Sequence, residues 1–163
     1  MDKKIFDLDL DRCVGCYACV VACMDQNDIV PTDADFLWRD VTSLVVKGKI
    51  QYASIACMHC DDALCAASCP TEAVFRDENT HLVGLDKSKC IGCHNCVMVC
   101  PSGVPKFDGD GKMEKCTGCA ARVESGLIPA CVRICPSRAL KYDTAGNIEK
   151  GKKLRTLKKA LNC

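Results

Sequence analysis

Cys90-Ile91-Gly92-Cys93-His94-Asn95-Cys96-Val97-Met98-Val99-Cys100-Pro101 is the stretch on which the reading of this chain turns. Three thiols stand two residues apart, a fourth follows after three more, and proline comes next. Two-residue spacers let a loop curl and aim three side chains at one point, and Gly92 supplies the backbone freedom that so tight a curl demands. The fourth cysteine, one helical turn on, points elsewhere. Pro101 has no N–H to give and ends the short helix carrying the last pair.

Outward from it, the pattern repeats. Cys13-x2-Cys16-x2-Cys19-x3-Cys23 precedes it, as does Cys57-x2-Cys60-x4-Cys65-x3-Cys69, and Cys116-x2-Cys119-x11-Cys131-x3-Cys135 follows. Sixteen of the seventeen cysteines thus fall in four quartets, and Cys163 stands alone. Pro70 and Pro136 close their quartets as Pro101 does, whereas Met24 follows Cys23, so the helix there is expected to run on through Asp25 and Gln26. Gly15 and Gly118 repeat the role of Gly92.

Between the quartets, Ala73-Val74-Phe75-Arg76 and His81-Leu82-Val83-Gly84-Leu85 flank the polar Asp77-Glu78-Asn79-Thr80 and read as a β-hairpin. Leu44-Val45-Val46 and Ile50 to Ile55 read as another, turning at Gly48. Ile5-Phe6-Asp7-Leu8 and Ala139-Leu140-Lys141-Tyr142 form a candidate pair from opposite ends of the chain. The tail carries Lys150, Lys152, Lys153, Arg155, Lys158 and Lys159, with Leu154, Leu157 and Leu161 at helical spacing. It reads as a solvated helix with a small apolar stripe, or else as a docking element for an acidic partner.

Composition narrows the class. Hydrophobic residues are 48% of the 163, but aromatics only 5%, and many of the apolar residues are cysteine. A conventional core is therefore thin and staples are expected. A formal charge of +1 argues against nucleic acid as a partner. No run of residues approaches the ~18 apolar positions of a membrane span. Met1-Asp2-Lys3-Lys4, followed by Ile5, Phe6 and acidic residues, has neither an apolar h-region nor twin arginine. A cytoplasmic, reducing setting is expected, with carriage across a membrane by a partner left open. Tight cysteine clusters speak against a disulfide framework, and three quartets with an identical x3 ending and a following proline speak against zinc.

The x2-x2-x3-Pro run is the one with which bacterial ferredoxins bind [4Fe–4S] clusters, and in two-cluster ferredoxins the fourth cysteine ligates the other cluster. Cys57 to Cys100 then makes one complete two-cluster unit, and the first and fourth quartets make a second unit with this one inserted in it. The nested pairing gives four sites: Cys13, Cys16, Cys19 and Cys135; Cys57, Cys60, Cys65 and Cys100; Cys90, Cys93, Cys96 and Cys69; Cys116, Cys119, Cys131 and Cys23. Pairing the first quartet with the second and the third with the fourth is the alternative. The expected fold is α+β, a double bacterial-ferredoxin-like arrangement of short helices and β-hairpins rich in loops. Its parts are an outer unit of residues 1–23 and 101–148, a hairpin insertion at 24–56, an inner unit at 57–100, and a basic tail at 149–163. Four thiolates per cluster leave no open iron, and no nucleophile with base and orienter stands out. The expectation is electron transfer, with no catalytic site in the chain itself. Four such clusters of about −2 each would take the assembly to about −7.

Two stretches carry a more specific likeness. Met58-His59-Cys60-Asp61-Asp62-Ala63-Leu64-Cys65 with Ala66-Ala67-Ser68-Cys69-Pro70, and Lys115-Cys116-Thr117-Gly118-Cys119-Ala120-Ala121-Arg122-Val123-Glu124-Ser125-Gly126-Leu127-Ile128-Pro129-Ala130-Cys131 ending Ile134-Cys135-Pro136, resemble motifs of the iron–sulfur subunits of the dimethyl sulfoxide reductase family. The resemblance runs over residues ~3 to 142 and all four quartets. It implies the double-ferredoxin fold with nested ligation, and a relay role beside a large molybdenum- or tungsten-pterin catalytic subunit, with a further electron-transfer or flavin subunit as an additional partner. Formate dehydrogenases have such subunits, and similar small subunits accompany tungsten aldehyde oxidoreductase-type enzymes. The chain departs from many members in its short Pro101–Lys115 link, in lacking a C-terminal membrane anchor, and in keeping cysteine at every ligand position. A free-standing polyferredoxin serving hydrogenases or other reductases is the alternative role.

Among the remaining residues, His59 and His94 lie inside cysteine loops and are read as packing beside the metal or donating to sulfur. His81 is expected on a strand face. Trp38 is expected to cover the insertion or to anchor a partner, Asp61 and Asp62 to cap or turn, and Cys163 to be a terminal thiol.

Overall fold

The computed structural model describes residues 3–30 and 37–160, so Cys163 lies outside the described residues. Helix length follows the residue after each quartet's last cysteine. Where Met24 follows, α1 runs for nine residues, Ala18–Gln26, as expected. Where proline follows, the helices are brief: α2 (Leu64–Ala67), α3 (Asn95–Met98) and α5 (Ala130–Ile134). Cys135, before Pro136, is extended, the conformation a following proline imposes. A further short helix, α4, spans Ala120–Glu124 within the long spacer of the fourth quartet.

The strands are β1 (Lys4–Leu8), β2 (Arg39–Val46), β3 (Lys49–Ala56), β4 (Val74–Arg76), β5 (Val83–Leu85), β6 (Lys106–Phe107), β7 (Met113–Glu114) and β8 (Leu140–Thr144). Among the described residues they form four antiparallel pairs, β1–β8, β2–β3, β4–β5 and β6–β7. The terminal pairing is the expected one, with Phe6 opposite Tyr142 and Leu8 opposite Leu140. The β2–β3 hairpin is longer than the sequence pattern suggested, from Arg39 opposite Ala56 to Val46 opposite Lys49. Lys47 (φ 49°) and Gly48 (φ 75°) make its two-residue turn, whose positive dihedrals match the twist of the flanking strands. The β6–β7 hairpin has no alternating pattern in sequence and was not expected.

His81 departs from expectation. It sits at φ 59° ahead of β5, not on a strand, and its carbonyl accepts from Arg76 Nη1 at 2.7 Å. Asp61 turns the chain as expected: its carbonyl accepts from Arg76 Nη2 at 2.9 Å, and its carboxylate pairs with Lys3.

Two parts of the chain share one hydrogen-bonding scheme. The Asp9 N–H donates to the Ala139 carbonyl at 2.9 Å, and the Asp86 N–H to the Ala73 carbonyl at 2.7 Å. A 3-10 turn follows each aspartate, at Leu10–Arg12 and Lys87–Lys89, and leads into Cys13 and Cys90. After Cys135-Pro136-Ser137 comes Arg138 at φ 53°; after Cys69-Pro70-Thr71 comes Glu72 at φ 54°. The matched segments are β1 with β8, and β4 with β5.

Each buried core contains sulfur. Phe6, Val20, Val41, Leu82, Leu140 and Tyr142 pack with Cys19 and Cys131. Ala63, Ala73, Val74, Val83 and Met113 pack with Cys90 and Cys96, and Ala56 packs with Cys57 and Cys116. Trp38 lies on the edge of this last group, and its Nε1 donates to Glu114 Oε2 at 3.2 Å, tying the insertion to β7. The described part of the basic tail is helical, and α6 starts earlier than the tail boundary, spanning Ala145–Ala160. It buries Ile148, leaves Leu154 and Leu157 exposed, and is pinned to the β1 region by Lys152 with Asp7 (2.5 Å) and Arg155 with Asp9. No described helix is long and apolar enough to cross a membrane.

Candidate metal centres

In each quartet a pair of left-handed residues curls the loop. Gly15 and Tyr17 do this in the first, Gly92 and His94 in the third, and Gly118 and Cys119 in the fourth. At Gly92 the requirement is double: φ is +69°, and a Cβ there would stand 2.6 Å from the carbonyl oxygen of Gly111. In the second quartet the glycine position is taken by His59, at φ 51°. That backbone state is costly for a side-chain residue, and the surroundings hold it. The ring is 6% exposed, its Nδ1 accepts the Val83 N–H at 2.9 Å, and it stacks on Phe6 with centroids 5.5 Å apart. Burial, then Lys115 and Arg76, push it down to about 3, so the imidazole is neutral, with its proton on Nε2. His94 stacks on Phe107 at 3.8 Å.

The structure gathers the cysteines across quartets. One cavity is lined by Cys13, Cys16, Cys19 and Cys135, with Gly15, Tyr17 and Ser54. A second is lined by Cys57, Cys60, Cys65 and Cys100 with Lys115. Cys23 lies in the electrostatic neighbourhood of Cys116, Cys131 and Cys119. Cys90 and Cys96 share a core against which Cys69 packs, and Cys93 is an electrostatic neighbour of Cys96. Neighbouring groups also influence one another: Cys65 acts electrostatically on Cys96, Cys116 on Cys57, and Cys19 on Cys131.

The electrostatics need an anion that the protein alone does not supply. Burial pushes the Cys23 thiol up to about 12, reinforced by Cys116, and pushes Cys57, Cys96 and Cys131 up to about 11. Without metal these are neutral thiols at pH 7. Yet Arg39 and Lys115, 3% and 4% exposed, lie among them. Among the described residues no carboxylate pairs with either. Buried donors are also left over: Arg39 Nε and His59 Nε2 have no partner. A buried, unpaired cation is expensive. A group that turns four thiols into thiolates and brings sulfide acceptors supplies both missing terms. Among the described residues no three His, Cys, Asp or Glu side chains converge on a single ion, whereas four cysteines around one cavity suit a larger cubane.

Two thiols are cradled differently. Burial acts to raise Cys69, but the N–H groups of Val74, Thr71 and Ala73 outweigh it and hold the thiol below its ordinary value. Cys135 has the same balance, with Leu140, Ser137 and Ala139 as donors. Sequence reading names these sixteen cysteines as ligand candidates but does not single out Arg39 and Lys115, which the fold buries beside them. The available signal was phase: Arg39 shares the inward face of β2 with Val41, and Lys115 directly precedes Cys116.

The family model for a 4Fe-4S dicluster domain matches residues 48–145, and one for a 4Fe-4S binding domain matches residues 10–24. The chain is 38% identical over 135 residues to the probable anaerobic dimethyl sulfoxide reductase chain YnfG of Escherichia coli, covering 76% of this chain and 65% of that one. It is 41% identical over 128 residues to the thiosulfate reductase electron transfer subunit PhsB of Salmonella typhi, covering 75% and 66%. To the formate dehydrogenase iron-sulfur subunit of Wolinella succinogenes it is 40% identical over 127 residues, covering 73% and 62%. The chain thus spans just under two thirds of the length of these relatives.

Proposed function

Because the chain belongs to the 4Fe-4S dicluster domain family, we propose that it is an electron-transfer subunit with four [4Fe–4S] clusters, serving a large molybdenum- or tungsten-pterin catalytic chain. The cofactor supplies one-electron transfer without bond making. The protein supplies the thiolates and fixes the spacing between centres.

The ligand sets are the nested ones: Cys13, Cys16, Cys19 and Cys135 for the first cluster; Cys57, Cys60, Cys65 and Cys100 for the second; Cys90, Cys93, Cys96 and Cys69 for the third; Cys116, Cys119, Cys131 and Cys23 for the fourth. The single observation that carries this reading is a cavity lined by Cys13, Cys16 and Cys19 together with Cys135, more than a hundred residues away. The double-ferredoxin architecture is supported by the matched hydrogen bonds around Cys69 and Cys135 and before Cys13 and Cys90. In that architecture residues 57–100 form the inner unit, and residues 1–23 with 101–148 the outer one. The neighbour relations among cysteines support a path in the order third, second, fourth, first.

The pterin partner is supported by the relatives, several of which carry reductase or dehydrogenase names. Anaerobic isolation of the full protein from its native cell tests it. A large pterin-bearing chain is expected to travel with this one through successive columns. A protein recovered alone, and reduced equally by several unrelated donors, would contradict the proposal in favour of a free polyferredoxin.

A further inference from the structure

Arg39 and Lys115 lie at two successive junctions of the path. Arg39 Nη1 donates to Ser54 Oγ at 2.9 Å, and that oxygen is 3.2 Å from Cys19 Sγ, a ligand of the first site. The same guanidinium acts on Cys131, Cys116 and Cys23 of the fourth. Lys115 Nζ donates to the carbonyl of Cys116 at 3.1 Å and to that of Val83. It also lines the cavity of Cys57, Cys60, Cys65 and Cys100, the second site.

The geometry points to Arg39 and Lys115 as potential-setting residues: Arg39 raises the reduction potentials of the first and fourth clusters together, and Lys115 those of the second and fourth. The inference rests on the four-cluster reading and adds a role for two residues outside the ligand sets. An electron arriving on a cluster adds one negative charge, and a buried cation nearby stabilises the reduced state, little screened by water. Arg39 also acts through a hydrogen bond: its N–H polarises the Ser54 hydroxyl, which donates toward the Cys19 sulfur, and hydrogen bonds to ligating sulfur raise the potential. A guanidinium keeps its charge at any working pH. The fourth site, where the two fields overlap, holds an electron most firmly against loss of either cation alone.

The test is a potentiometric titration followed by electron paramagnetic resonance on the anaerobically purified, cluster-loaded protein. Each signal is assigned by its loss in a ligand-cysteine variant. Arg39→Gln is expected to lower the reduced-to-oxidised ratio of the first and fourth clusters about tenfold at fixed potential, a shift of about 59 mV for one electron. Arg39→Lys is expected to recover most of it. Lys115→Met should lower the second and fourth and leave the first and third unmoved. Should Arg39→Gln fail to fold, Ser54→Ala keeps the charge and cuts only the relay to Cys19, and must lower the first cluster alone. Full iron content with unchanged potentials in these variants overturns the assignment. Iron well short of four clusters in the unmodified protein overturns the reading beneath it instead.

Discussion

Iron removal by anaerobic chelation is expected to abolish the cooperative fold. The apolar cores are small and interleaved with cysteine: the largest joins Phe6, Val20, Val41, Leu82, Leu140 and Tyr142 to Cys19 and Cys131. Metal-free, Cys23, Cys57, Cys96 and Cys131 revert to the neutral form, since burial holds the first near 12 and the other three near 11. The sign is unambiguous. A thiol raised above its ordinary value is uncharged at pH 7 and gives Arg39 and Lys115 no counter-charge. Leaving one buried charge uncompensated costs about 3–5 kcal/mol, and two such charges consume most of the ~5–15 kcal/mol by which a domain is stable. Binding free energy of the metal groups is thus folding free energy. Far-ultraviolet circular dichroism during a thermal ramp checks this. The loaded protein should melt in one transition, and the chelated protein should show none. An iron-free chain that keeps its spectrum and melts cooperatively would show that packing alone suffices.

The second large effect concerns which cysteines share a cluster. Cys23→Ser is expected to damage the cluster of Cys116, Cys119 and Cys131, removing about one to four irons as the site loses one iron or its whole cube. Pairs of substitutions make this decisive through their lack of additivity. Cys23→Ser with Cys131→Ser should cost the same single cluster as either alone. Cys23→Ser with Cys57→Ser should cost two. The adjacent pairing, first quartet with second, reverses these outcomes, because Cys23 would then belong with Cys57, Cys60 and Cys65. Iron and sulfide analysis with spectroscopy of the reduced protein separates the two.

The parts of this protein that could be read from sequence are those governed by local rules. Cysteine spacing fixes the loops, and proline or Met24 after the last cysteine fixes helix length, four residues for α2 and α3 against nine for α1. Alternation around a polar or Lys47-Gly48 turn gave away the β4–β5 and β2–β3 hairpins. Two kinds of feature stayed hidden. Strands of two residues, β6 and β7, are too short to show a period. Charged residues are read by default as solvated, which misjudges Arg39, Lys115 and the aspartates that pin α6. Asp7 and Asp9 are matched by Lys152 and Arg155, whereas Arg39 and Lys115 find a counter-charge only in the thiolates of the proposed clusters. His81 was misjudged for a smaller reason: the Arg76 guanidinium captures its carbonyl and keeps it in the turn.

The most direct test of the central claim is the inorganic content of the anaerobically purified chain, measured with Mössbauer spectroscopy on iron-57-enriched protein. The account predicts about sixteen irons and as many acid-labile sulfides per chain, all in four-iron cubanes with four sulfur ligands to each iron, three sulfides and one cysteine thiolate. A chain saturated with two cubanes, or one holding isolated zinc or iron ions without sulfide, would contradict it.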